Sequence, residues 1–263
     1  MCWLEICLII RNAERATRGE ELKKRGGEVP IAVVTGGSRG LGRETVIALA
    51  RAGYSVCLNY VSSGEESEEA LRDAGGQCMS VKADVGNLAE VGRMAEKVRK
   101  QWGRVDVLVN NAGMTRDGLM LRYREDDWDE VMRVNIGGCI NTAKSFLPLI
   151  IQSGGGHIIN ISSVSGLRGK AGQAAYSASK ASVVGLSLSL AKELAEYNIK
   201  VNCVLPGYMR TDMGKGAGEA MKEAERQSVL HRLSDPKEVA QFIVFLVTTE
   251  TITGQVFCLD SRL

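Results

Sequence analysis

The sequence predicts an α/β fold, a single doubly wound domain whose seven-stranded parallel sheet is flanked by helices. Three observations predict it. Short apolar runs alternate with longer amphipathic stretches from Val29 onward. The runs are continuously apolar, as in strands covered on both faces. No internal repeat or linker interrupts residues 29–263, so one sheet takes all the strands.

The first strand, 31–35, leads straight into Gly36-Gly37-Ser38-Arg39-Gly40-Leu41-Gly42 and a helix over 41–52. Strand 55–60 precedes helix 65–74, and strand 77–82 precedes helix 88–102. Strand 105–109 is followed by one long helix, 125–151. Strand 157–162 leads to helix 175–197 and strand 200–205 to helix 236–247. The last strand spans 255–259. Right-handed crossovers between parallel strands then give the doubly wound order.

The 263 residues are 44% hydrophobic and 24% charged, enough for one sizeable core. A formal net charge of +2 gives neither nucleic acid nor a membrane surface a reason to bind. The seven cysteines, Cys2, Cys7, Cys57, Cys78, Cys139, Cys203 and Cys258, form no CxxC pair. An odd, scattered set suits a reducing compartment, so a cytoplasmic location is expected. His157 and His231 are the two histidines, too few for a His-rich metal site, and no metal is expected. Neither has a matching nucleophile elbow, which disfavours Ser-His-Asp hydrolysis.

Residues 1–28 differ in character from the rest of the chain. The first ten are apolar, interrupted by Glu5, and too short to span a bilayer. Residues 11–28 are densely charged with both signs. We read them as a dispensable extension ahead of the domain at 29–263.

The glycine cluster is the first functional signal. Glycines let the chain turn sharply and approach an anion closely, and the helix N-terminus behind them presents free N–H groups. A cluster placed after the first strand and opening the first helix points to a dinucleotide pyrophosphate. Its spacing, Gly-x3-Gly-x-Gly, resembles the TGxxxGxG of the short-chain dehydrogenase/reductase family. Asn110-Asn111-Ala112-Gly113 is similar to that family's NNAG, and Tyr176-Ser-Ala-Ser-Lys180 to its YxxxK. Ser163, thirteen residues before the tyrosine, Asn135 and the Pro206-Gly207 turn also match. The resemblance runs from Val29 to the C-terminus and implies a Rossmann-type reductase using a nicotinamide. Within the family, Thr115–Gly118, Gly172–Tyr176 and Pro206–Met213 resemble the 3-oxoacyl-acyl-carrier-protein reductases.

The cofactor expected is NADP(H). NAD-selective enzymes often carry a carboxylate after the second strand, whereas here Asn59-Tyr60-Val-Ser-Ser runs to Glu65 without an acid. Arg39 in the glycine loop offers a guanidinium to a 2′-phosphate. The resemblance further implies cofactor contacts from Gly36, Ser38, Gly40, Leu41, Gly42, Asn59, Asp84, Val85, Asn111, Tyr176, Lys180 and Met209.

Tyr176 and Lys180 lie four apart in a helical stretch and share a face. An ammonium beside a phenol stabilises the phenolate left after proton donation. The resemblance makes Tyr176 the proton donor to a reduced carbonyl and Ser163 a hydrogen-bond donor to its oxygen. It gives Lys180 the ribose hydroxyls as well, and Asn135 a water linking Lys180 to solvent. The expected substrate is a 3-oxoacyl thioester on acyl carrier protein or coenzyme A. The alternatives are a reductase of another ketone/alcohol pair and a non-catalytic NADP-binding protein. Family members commonly form tetramers, so a homo-oligomer, tetramer or dimer, is expected. Two features depart from the subfamily. Gly154 and Tyr197 stand where basic carrier-docking residues are common, leaving Arg116, Arg122, Arg124, Arg168 and Lys170 as a substitute rim. The chain also ends in Asp260-Ser-Arg-Leu263 instead of Asp-Gly-Gly.

Overall fold

The computed structural model describes residues 29–62, 64–210 and 218–262. The extension expected at 1–28 and residues 211–213 of the Pro206–Met213 motif lie outside them. The strands are β1 (Ile31–Val34), β2 (Ser55–Tyr60), β3 (Cys78–Lys82), β4 (Val107–Asn110), β5 (Gly156–Ile161), β6 (Ile199–Pro206) and β7 (Val256–Leu259). The helices are α1 (Gly40–Arg51), α2 (Gly64–Ala74), α3 (Leu88–Trp102), α4 (Glu125–Met132), α5 (Gly138–Gln152), α6 (Ser165–Arg168), α7 (Ala174–Glu193), α8 (Gly218–Gln227) and α9 (Pro236–Leu246).

All seven strands form one parallel sheet in the order β3-β2-β1-β4-β5-β6-β7. Strand order reverses between β1 and β4, so their carboxyl ends open a crevice, the usual ligand position in such sheets. Alternate residues feed two core layers. Ala32, Val34, Val107 and Val109 pack with Val46, Leu49 and Ile243 on one face. Val33 and Leu108 pack with Val91, Met94, Phe146 and Ile150 on the other. This two-sided burial explains the continuously apolar runs. Asp106, 1% exposed, tethers the start of β1. Its carboxylate accepts from Ile31 N at 2.8 Å and pairs with Arg104 at 2.7 Å.

The structure departs from the sequence expectations in four places. The helix expected at 125–151 runs without a gap over 125–152 but contains a π-turn, Arg133–Gly137, whose extra residue directs Asn135 into the protein. The helix expected to reach 197 ends at Glu193 and continues as a 3-10 turn, Ala195–Tyr197, closed by Asn198 at φ 57°. β4 starts at Val107, not at Val105, whose N–H bonds to Ser153 Oγ. The short α6, the 3-10 turn Met120–Arg122 and α8 add to the predicted set. In α8 only Ala224 is buried, which leaves no apolar period to read.

The run from Glu125 to Gln152 is long and apolar enough to cross a bilayer, but Phe146, Leu149 and Ile150 are core residues. Burial pushes the Cys57 thiol up to about 12, and the Cys139 and Cys203 thiols to about 11. These thiols are inert packing groups at neutral pH.

Candidate active site

The glycine loop joins β1 to α1 beneath the crevice. Gly36 sits at φ 61°, and a Cβ there would stand 3.0 Å from Ala112 Cα. At Gly42 a Cβ would stand 2.1 Å from Gly36 O. The loop therefore folds back on itself with no room for side chains at these two points. Ser38 is buried, and Leu41 and Gly42 belong to the buried side of α1. The start of α1 carries no side-chain cap, so its first N–H groups are available to an anion.

Several residues hold this loop from below. Thr35 Oγ1 accepts from Asn111 N and Ala112 N, each at 3.0 Å. Asn111 Nδ2 donates to Thr35 O and Gly36 O, both at 3.0 Å. Asn59, 1% exposed, accepts from Gly36 N at 3.4 Å and donates to Ala83 O at 2.8 Å. Sequence resemblance places Asn59 and Asn111 among cofactor contacts; in the structure the Asn59 amide and Asn111 Nδ2 also bond to the backbone that shapes the loop. Arg39, in contrast, is exposed and has no carboxylate partner among the described residues. Asp84 accepts from Gly86 N at 2.8 Å and from Arg133 Nη1 at 2.7 Å. Val85, next to it, is buried and its carbonyl accepts from Asn141 Nδ2.

The chemical residues assemble where β5 meets α7. Lys180 is 5% exposed, and its Nζ donates to Ile161 O at 2.8 Å. That ammonium lies 5.7 Å from the centre of the Tyr176 ring. Ser162 Oγ donates to Lys180 O at 2.7 Å, fixing α7 against the strand end. Ser163 follows at once, half-buried, with Oγ accepting from Ser165 N at 3.2 Å. Asn135, fully buried, donates to Met114 O and Ser179 Oγ and accepts from Met114 N, all within 2.8–2.9 Å. It thus clamps the loop after β4 to α7. A Cβ on Gly113 would lie 3.2 Å from Asn135 Oδ1 and 3.4 Å from Lys180 Nζ, which puts that glycine beside both groups.

A family model described as short chain dehydrogenase matches residues 30–222. The chain belongs to the short-chain dehydrogenase family. It is therefore a nicotinamide-dependent oxidoreductase. It is 39% identical over 242 residues to a 3-oxoacyl-acyl-carrier-protein reductase of Thermotoga maritima, covering 90% of this chain and 98% of the relative. A protein of the same description from Synechocystis is 41% identical over 237 residues, covering 88% and 95%. A third, from Staphylococcus aureus, is 40% identical over 230 residues, covering 85% and 94%.

Two segments of this short-chain dehydrogenase that resemble those reductases, Thr115–Gly118 and Gly172–Tyr176, meet at one edge of the crevice. Gly118 N donates to Gly172 O at 2.8 Å, and Gln173 Nε2 donates to Asp117 Oδ2 at 3.0 Å. The Thr115–Gly118 segment is thereby fastened just ahead of Tyr176. Burial pushes the Tyr208 phenol up, with the Asp117 carboxylate adding to the effect. Met209 pairs with Ser234 beside it. Asn110 bonds to Asn160 at 2.8 Å and accepts from Thr142 at 2.7 Å, tying β4 to β5 and α5. Sequence reasoning alone assigns no role to Thr35, Ser162 or Ser179. The threonine ahead of the first glycine and the serine inside YSASK stand within the recognisable motifs, but their partners are tertiary.

Proposed function

We propose that the protein reduces 3-oxoacyl thioesters to 3-hydroxyacyl thioesters with NADPH. The observation that carries this reading is the buried Lys180 ammonium set beside Tyr176 at the head of the crevice, in a chain about 40% identical to named 3-oxoacyl-acyl-carrier-protein reductases. The turn at Gly36–Gly42, with Ser38, Gly40 and Leu41, would hold the pyrophosphate, and Arg39 the 2′-phosphate. Asp84 and Val85 would face the adenine, Met209 the nicotinamide amide, and Tyr176 with Lys180 the ribose. Asn59 and Asn111 would line the cofactor site and shape the loop. Bound there, the nicotinamide supplies the hydride. Ser163 then donates a hydrogen bond to the carbonyl oxygen as charge grows on it. Tyr176 gives that oxygen its proton, and Lys180 stabilises the phenolate that remains. Asn135 holds α7 and the loop after β4 in register for this exchange. We take the enzyme to be cytoplasmic and a homo-oligomer, tetramer or dimer.

The test is oxidation of NADPH, followed by absorbance, with a 3-oxoacyl group on carrier protein and on coenzyme A. Turnover of either thioester is expected; turnover of neither, with activity on other ketones, would reject the substrate class. Of the substitute rim, Arg116 pairs with Glu130 at 3.0 Å and Arg124 with Asp126 at 3.2 Å. That leaves fewer free charges to attract an acidic carrier, so its kcat/KM advantage over coenzyme A is expected to be small and to shrink further with salt.

The assignment of Arg39 makes a second prediction. Arg39→Ala is expected to weaken NADPH binding about ten- to a hundredfold, the range for a charge-assisted contact, and to leave NADH nearly unchanged. Titration of both cofactors by fluorescence measures it. Equal losses would make Arg39 a support of the loop instead of a reader of the phosphate.

A further inference from the structure

A cavity of about 280 Å³ lies beside the crevice, with Val164 and Ser165, the residues after Ser163, on its wall. Its remaining wall comes from α6, Tyr208, α8 and the C-terminal tail. Three cations line it: Arg168, Lys170 and Arg262. Lys170 Nζ lies 5.6 Å from the centre of the Tyr208 ring, and the Arg262 guanidinium carbon lies 5.9 Å from it.

The tail holds Arg262 in this place. Arg262 Nε donates to Asp260 Oδ2 at 2.9 Å, and its carbonyl accepts from Arg168 Nη1 at 2.9 Å. Ser261 Oγ shares a 2.7 Å hydrogen bond with Ser228 Oγ, and Ser261 O accepts from Val229 N at 3.0 Å. Asp260 therefore pairs with both Nε and Nη2 of Arg262 and neutralises it, leaving Nη1 toward the cavity, while Arg168 and Lys170 have no carboxylate partner among the described residues. Glu223 also lines the cavity, but Arg226 and Gln227 engage its carboxylate. The wall is thus net positive, with guanidinium and ammonium donors left over and an apolar ring between them.

Such a set matches a phosphate: forked guanidinium donors and a point-charge ammonium around one anion. We propose that Arg168, Lys170 and Arg262 form a phosphate subsite for the substrate, which receives the phosphate of the phosphopantetheine arm common to carrier protein and coenzyme A. The proposal rests on the thioester reading above and adds to it how the arm is held. Tyr208 packs between the cations and gives the arm an apolar surface on its way to Ser163. Because the ion is an intrinsic part of the arm, the subsite recognises either carrier without requiring an acidic protein surface.

Binding is measured on the full chain loaded with NADPH, by calorimetry, with 4′-phosphopantetheine and with pantetheine. The phosphorylated probe is expected to bind about ten- to a hundredfold more tightly. Arg168→Gln with Lys170→Gln should erase that preference while NADPH affinity and the circular dichroism spectrum stay unchanged. Arg262→Gln alone should reduce it in part. Equal affinity for the two probes in the unmodified protein, or a preference that survives the double substitution, would overturn the subsite. Kinetics separate the sources of the phosphate. The double variant should raise KM by a similar factor for carrier-bound and coenzyme A-bound substrates and leave the N-acetylcysteamine thioester, which lacks phosphate, unaffected. A rise confined to the carrier would place the cations on the carrier's own acidic surface, and one confined to coenzyme A on its nucleotide phosphates; either outcome overturns the proposal. Failure of the unmodified enzyme to reduce the carrier-bound, the coenzyme A-bound and the N-acetylcysteamine thioester alike would instead count against the thioester reading itself, independently of the probe affinities.

Discussion

Replacing Tyr176 by phenylalanine is expected to lower kcat by about a hundred- to ten-thousandfold, the range for loss of a positioned general acid, while NADPH binding, held also by Lys180 and the glycine loop, is largely kept. The substitution removes one hydroxyl and keeps the ring that lies over the Lys180 ammonium at 5.7 Å. Lys180 remains fixed by Ile161 O at 2.8 Å, and α7 by the Ser162 hydroxyl, so the fold has no reason to move. Steady-state turnover gives the first quantity and a fluorescence titration of NADPH the second. A folded Tyr176→Phe protein with near-native kcat would remove Tyr176 from proton transfer. A parallel loss of NADPH affinity would make it chiefly a cofactor contact. The buried position of Lys180 has a further consequence. A charge in such a place demands close partners, and the structure supplies a carbonyl and an aromatic face, leaving its other N–H groups for the ribose hydroxyls assigned to it.

Local pattern and tertiary circumstance divide what the sequence could tell. Strands β1, β2, β4, β5 and β6 were legible because they are covered on both faces, so apolar residues outnumber polar ones along them without strict alternation. The glycine loop was legible because its chemistry is local: a strand, a tight turn and a helix start follow one another in the chain. Tyr176 and Lys180 were legible because four residues make one helical turn. The π-turn at Arg133–Gly137 was not, since nothing in the period of residues 125–151 marks one extra residue; it is stabilised by Asn135 reaching Met114 and Ser179. Asn59 and Asn111 were found as residues, but their sharing of loop carbonyls and amides depends on strands that meet only in the folded sheet. Of the cluster around Tyr208, Arg168 and Lys170 were legible as rim charges, but their meeting with Arg262 was not. Arg168 and Arg262 are 94 residues apart and meet only in the folded chain.

The second large effect belongs to Gly42. Gly42→Ala is expected to weaken NADPH binding by roughly five- to 150-fold, corresponding to about 1–3 kcal/mol of overpacking. A Cβ there would lie 2.1 Å from Gly36 O and 2.5 Å from Asn111 Nδ2. The first of these is backbone and cannot rotate away. The methyl must therefore displace either the Gly36 peptide or the first turn of α1, and both belong to the surface assigned to the pyrophosphate. The Asn111 amide would lose its hold on Thr35 O and Gly36 O at the same time. Gly92→Ala provides the control, because Gly92 is exposed inside α3 and a methyl group added there would meet nothing within 4 Å. That change should stabilise the protein by about 0.4–1 kcal/mol through the unfolded chain, raise Tm and leave NADPH affinity alone. Thermal melts with and without NADPH measure both variants. A Gly42→Ala protein that melts normally and keeps the full NADPH-induced rise in Tm would show that the loop yields without cost, and that close packing of Gly42 on Gly36 is not what prepares the turn for its anion.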